Sequence, residues 1–132
     1  MDLYHNEVYM PDDYVDDAHI MMRRAHRAKP SRHVIEWLNG TGSSNSLRLK
    51  KHNYTLRDLK EALMHITRTL PDPFEIGVED EEVIKYAVRM HLNAIDDITL
   101  VIDKNNVIRT AWLNKRDDVH STLDANKYVQ RR

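Results

Sequence analysis

Apolar positions recur with two different periods along this chain, and the change of period divides it. Near the C-terminal end, residues 98–103 (ITLVID) and 107–113 (VIRTAWL) are rich in β-branched and aromatic residues. They flank Lys104-Asn105-Asn106, a turn-like triplet in which Asn tolerates left-handed backbone. This is the strongest hairpin signal in the sequence. Alternation places Ile98, Leu100 and Ile102 on one face of the first strand, and Val107, Arg109, Ala111 and Leu113 on one face of the second. A lone hairpin is marginal in water, so it must pack on helices and pair with another strand, residues 47–51 or 3–9 being the candidates.

Upstream the period is helical. Asp17 is the expected N-cap of a helix over 18–28, with Ala18, Met21, Met22 and Ala25 on its apolar side. Lys29-Pro30 breaks it, and Ser31 caps a second short helix, SRHVIEWL, whose Val34, Ile35, Trp37 and Leu38 point inward. TGSSNS (41–46) reads as a loop. Thr55 and Asp58 form a capping-box pattern ahead of a helix over 56–69, with Leu56, Leu59, Ala62, Leu63 and Ile66 on one face and Pro71 beyond its end. DPFEIG (72–77) reads as a connector. The acidic run 79–82 suits the first turn of a further helix ending near Asn93, with Val83, Ile84, Ala87 and Val88 as its stripe. The expected fold class is therefore α+β, with N-terminal helices packed on a small twisted antiparallel sheet built around the C-terminal hairpin. The expected organisation is one domain over 1–132: an acidic arm (1–17), a mainly helical part (18–93), and a hairpin with a polar segment (97–128).

Composition narrows the chemistry. With no cysteine, disulfides and thiolate metal sites are excluded. No apolar run approaches the roughly 18 residues needed to span a bilayer, and the N-terminus is too acidic for a signal peptide. No membrane partner is expected, and the expected location is the cytoplasm. The net charge of -1 conceals strong segregation. Residues 1–17 hold six acidic residues and no Lys or Arg, residues 18–60 hold ten Lys or Arg against Glu36 and Asp58, and residues 100–132 hold seven against four. If the two basic segments converge in space, they make a face able to hold a polyanion; otherwise they simply solvate helices.

Metal chemistry finds little support. His19, His26 and His33 are seven residues apart, about 10 Å on a helix, too far for two ligands of one ion. No H-E-x-x-H, P-loop, G-x-G-x-x-G or G-x-S-x-G pattern is present. No metal and no cofactor are expected. What remains is acid–base chemistry beside cations. RNA carries its own nucleophile, the 2′-OH, so cleaving it without metal needs a base, an acid and donors for the phosphate oxygens. Histidine transfers protons near neutral pH, and Arg offers a fixed cationic fork. The stretch 109–122 supplies both types: Arg109, Thr110, Asn114, Lys115, His120, Ser121 and Thr122. His26 and His33 offer a second imidazole from the basic N-terminal helices, and Arg32 and Trp112 offer phosphate and base contacts. Each has a plainer reading. Arg109 is a partner for Asp103 or Asp118, Trp112 is core, His33 packs beside Trp37, and His5, His52, His65 and His91 are surface residues without special context.

The basic, His-containing helical half, followed by ITLVIDKNNVIRTAWLN and DDVHSTLD, resembles the barnase–EndoU–colicin–RelE superfamily of small ribonuclease domains. The likeness is strongest over 97–128 and rests on a pattern of elements and residue types. It implies a helical region on a twisted antiparallel sheet that carries metal-independent endoribonuclease chemistry, often toxin-like and directed at tRNA or mRNA. It also implies catalytic candidacy for His33 or His26 and for Arg109, Thr110, His120 and Thr122. The expected function is thus RNA cleavage by 2′-OH transphosphorylation, with RNA as partner and an immunity or antitoxin protein as a second candidate partner. Such a protein would be delivered as a toxin or expressed by a mobile element. The alternative is a non-enzymatic phage- or plasmid-type regulator that binds nucleic acid or inhibits a host protein.

Overall fold

The computed structural model describes residues 12–39, 55–91, 96–115 and 128–130. Among these residues three helices, α1 (Asp12–Met22), α2 (Arg32–Leu38) and α3 (Leu56–Thr69), precede most of the strands. The strands are β1 (Lys29–Pro30), β2 (Glu75–Glu79), β3 (Glu82–His91), β4 (Asp96–Asp103), β5 (Val107–Lys115) and β6 (Tyr128–Gln130). They form one six-stranded sheet in the order β1-β5-β4-β3-β2-β6. β1 runs parallel to β5, and the other pairings are antiparallel. The fold is α+β as expected, and the β4–β5 hairpin lies inside the sheet.

Where the caps are explicit, sequence and structure agree. The Ser31 hydroxyl accepts from the Val34 amide at the start of α2. Thr55 and Asp58 exchange the two bonds of a capping box at the start of α3. Leu59, Leu63 and Ile66 are buried on α3, and Val34 and Trp37 on α2. Ile35 and Leu56 instead remain 45% and 48% exposed.

Three expectations are corrected. The first helix occupies Asp12–Met22 rather than 18–28, because Asp12 and Asp13 fill its first turn, where the dipole favours acid. Asp17 lies within it, and a single 3₁₀ turn, Ala25–Arg27, follows. Residues 72–77 are not all connector, since Glu75–Glu79 is strand β2. The expected helix over 79–93 is strand β3, so the C-terminal end of the part expected to be helical belongs to the sheet. The EDEE run contains a two-residue hairpin turn: Asp80 and Glu81 both adopt positive φ, 52 and 63, between paired Glu79 and Glu82. Ile84 and Val88 satisfy either period, and pairing with β4 along Lys85–His91 settles the choice.

One sheet face is the core. Ile76, Tyr86, Val88, Met90, Ile98, Leu100, Ile102, Ile108, Ala111 and Leu113 share a buried cluster with Ala18, Met22, Val34, Trp37, Leu59, Leu63 and Ile66 from the helices. Ile98, Leu100 and Ile102 face inward as their alternation predicted. β5 departs from its pattern. Val101 pairs with Thr110 but Ile102 pairs with Ile108, so Arg109 is an extra, bulged residue. The bulge turns Ile108 onto the face of Ala111 and Leu113 and leaves Arg109 exposed. The expected strands at 3–9 and 47–51 and the loop at 41–46 lie outside the described residues. No helix of the described residues is long and apolar enough to cross a membrane.

Candidate functional site

The sheet face turned away from this core carries the chemistry. Its residues follow from the register: Glu75, Ala87, Val101 and Thr110 form one row, Arg89, Thr99 and Trp112 the next, and His91 and Asp97 the last. Glu75, Ala87 and Thr99 are almost completely buried at its middle, Arg89, Thr110 and Trp112 are half-buried, and His91 is exposed.

Asp97 organises the last row. It is 5% exposed. One carboxylate oxygen accepts from Arg89 Nε at 2.8 Å, and the other lies 2.7 Å from His91 Nδ1. The spacing Arg89-x-His91 puts both side chains on one strand face, with Asp97 directly across from His91. A carboxylate only accepts, so Nδ1 of His91 carries the proton in this contact. In the neutral ring Nε2 is then the basic nitrogen. The His91 side chain is 70% exposed against 6% for Asp97, so a buried carboxylate orients an accessible imidazole. Such a group can take or give a proton at Nε2. Beside it, Arg89 supplies a guanidinium whose side chain is 21% exposed.

A groove of about 530 Å³ opens at this end of the sheet. Arg89 and His91 line it from β3, and Glu61 and His65 line it from α3. Met90 and Ile98 of the core face line it as well, so the groove lies where α3 meets the end of the sheet, and Arg89 and His91 border it from the β3 end.

The residues expected from sequence are dispersed. Thr110 and Trp112 lie on the polar face, and Trp112 Nε1 is buried with no hydrogen-bond partner among the described residues. Arg109 sits at the opposite end of β4 from Asp97, with Nε 4.0 Å from Asp103. That is the ion-pair reading of Arg109, at the limit of contact. Asn114 and Lys115 pair by backbone register with Asp97 and Asp96. Arg32 is exposed on α2 and pairs with Glu36 at 3.3 Å, and His33 is exposed beside it. The His26 amide donates to the Thr67 hydroxyl at 3.0 Å, with the ring 3.4 Å from the same oxygen. Those contacts tie His26 to α3. His120, Ser121 and Thr122 lie outside the described residues. Sequence reasoning missed His91, His65, Arg89 and Asp97. The signal was the Arg-x-His alternation, which has meaning only once 82–91 is a strand.

No group of three or more His, Asp or Glu side chains among the described residues is placed to hold a metal ion. Comparison with protein-family models, curated proteins and solved structures finds no match to this chain.

Proposed function

We propose that this chain is a metal-independent endoribonuclease whose chemistry is centred on the His91 end of the polar sheet face. The observation that carries the reading is the buried Asp97 carboxylate holding an exposed imidazole and a guanidinium side by side. Nε2 of His91 accepts the proton of a ribose 2′-OH as that oxygen attacks the adjacent phosphorus. Arg89 stabilises the charge that builds on the phosphate oxygens. The 5′-oxygen leaves with a proton from a second group, for which His65 in the same groove is the candidate. The products are a 2′,3′-cyclic phosphate and a 5′-hydroxyl. His120 and Thr122 keep the candidacy that the superfamily resemblance implies, and an immunity or antitoxin partner belongs to the same reading. tRNA is a candidate substrate.

The test is incubation of the protein with total tRNA and a long single-stranded RNA in EDTA, beside His91→Gln and His120→Ala. Cleavage with cyclic phosphate ends is expected for the wild type, with a loss of about 100-fold or more in His91→Gln. Full activity in His91→Gln with loss in His120→Ala would move the site to the C-terminal segment. Absence of cleavage by the wild type would reject the enzyme. The second reading, a regulator that binds nucleic acid without cutting it, draws on the separation of His26, His33 and Arg109 from the groove. It would stand if RNA were retained intact.

A further inference from the structure

Two basic segments distant in sequence meet at the end of the sheet opposite His91. The Arg24 guanidinium donates to the carbonyl of Lys104 at 2.7 Å, and Asn106 Nδ2 donates back to the Arg24 carbonyl at 2.7 Å. The Lys29 amide donates to the Asn106 carbonyl and the Ser31 amide to the Ile108 carbonyl. β1 is thereby stitched to the start of β5. These contacts bring the segment with exposed Arg23, Arg24, Arg27 and Lys29 against the turn and strand start with exposed Lys104 and Arg109.

Among the described residues the charge here is poorly neutralised, the acidic contacts being Glu82, 3.7 Å from Lys104, and Asp103, 4.0 Å from Arg109. Both are loose, and exposed pairs at such distances offset little charge. Arg24 spends its hydrogen bond on the Lys104 carbonyl rather than on a carboxylate. Asp103 is further committed to the turn, accepting from the Asn105 and Val107 amides. The bulge at Arg109 is what turns that guanidinium outward at the junction with the polar sheet face.

We propose that this pole is a docking surface for the phosphate backbone of single-stranded RNA, separate from the site of cleavage. The choice of RNA rests on the ribonuclease reading, and the positive surface itself does not. From Asp97 to Asp103 the face spans about 20 Å along β4. A single nucleotide bound at His91 cannot reach Arg109. A polymer can, so the surface selects chains over dinucleotides.

The experiment uses a fluorescent 20-nucleotide RNA with 2′-O-methyl groups throughout, which removes the nucleophile and keeps the backbone charge. Binding of the wild type is followed by anisotropy from low to high salt. The variant is Arg23→Gln/Arg27→Gln/Lys29→Gln, with its fold checked by circular dichroism melting. The control is Arg57→Gln/Lys60→Gln/Arg68→Gln, on the outer face of α3. Single-stranded contacts each contribute about 0.7 to the slope of log K against log salt. The expected result is salt-dependent binding, weakened about tenfold or more in the first variant with a slope lower by about 2, and unchanged in the control. No binding by the wild type, equal weakening in the control, or tighter binding to duplex DNA would overturn the proposal. Because this RNA cannot be cut, loss of binding here and loss of cleavage in His91→Gln are separate outcomes.

Discussion

Asp97 and Tyr86 show how a single buried polar group is handled in two ways. Asp97 enters the sheet with two donors on its oxygens, the Arg89 guanidinium and the His91 ring, and that pairing is the condition for burying a carboxylate. Tyr86 is 1% exposed on the core face, and its hydroxyl has no hydrogen-bond partner among the described residues. Burial raises its pKa well above the ordinary value, and the nearby Arg24 charge offsets part of the rise. The unfolded chain therefore loses this proton near pH 10.0, while the folded chain keeps it. The tyrosine's contribution to stability is full below that pH and declines as pH rises above it. Tyr86→Phe removes both the unsatisfied hydroxyl and the titration. It is expected to stabilise the fold by about 1 kcal/mol at pH 8 and to flatten the alkaline decline. Urea melts of both proteins at pH 8 and pH 10.5 check both effects, and a clear loss of stability at pH 8 would mean the hydroxyl is satisfied.

At the scale of the element, β3 decides more than any other segment. Its sequence suits a helix by apolar spacing and a strand by composition, with Val83, Ile84, Tyr86 and Val88 together. Burial resolves the conflict. Tyr86, Val88 and Met90 face the helices, and Lys85, Ala87, Arg89 and His91 face the other way. The turn before it is under local strain at Glu81, which takes a positive φ where such a turn prefers Gly, whereas Asp80 suits its position. Asp80→Asn with Glu81→Gly supplies the favoured pair. It is expected to raise stability by about 1 kcal/mol in denaturant melts. A decrease would show that the two acidic side chains do more than turn the chain. Capping chemistry was legible in Thr55 and Asp58 because it is local, and the bulge at Arg109 was not because it is a property of two paired strands.

The whole molecule places strong order at the centre and its candidate chemistry at the ends. β4 and β3 are interior strands, seven of the eight β4 residues are buried, and β1 is a two-residue edge. Hydrogen exchange is expected to be slowest in the amides of β4 and of β3 where it pairs with β4, exchanging only by global unfolding, and fast in β1. Exchange mass spectrometry checks this, and rapid exchange across 98–102 would contradict the sheet order. The two candidate ends differ in kind. One is a carboxylate-held imidazole in a groove, and the other is a charged surface assembled from residues about 80 apart in sequence.

What the amino-acid sequence determined alone were the features set by neighbours along the chain: the α+β class, the β4–β5 hairpin, the caps at Ser31 and Thr55, the inward face of Ile98, Leu100 and Ile102, and the segregation of charge. Each depends on residues within about a turn or a strand of one another, where spacing is geometry. Tertiary structure decided the rest. It made 82–91 a strand, because the β4 backbone needed a partner along its second edge. It added a parallel β1 at the far edge, and through the bulge it chose which β5 residues enter the core. It brought Arg89, His91 and Asp97 together, because strand register, and not sequence distance, sets which side chains face each other across a sheet.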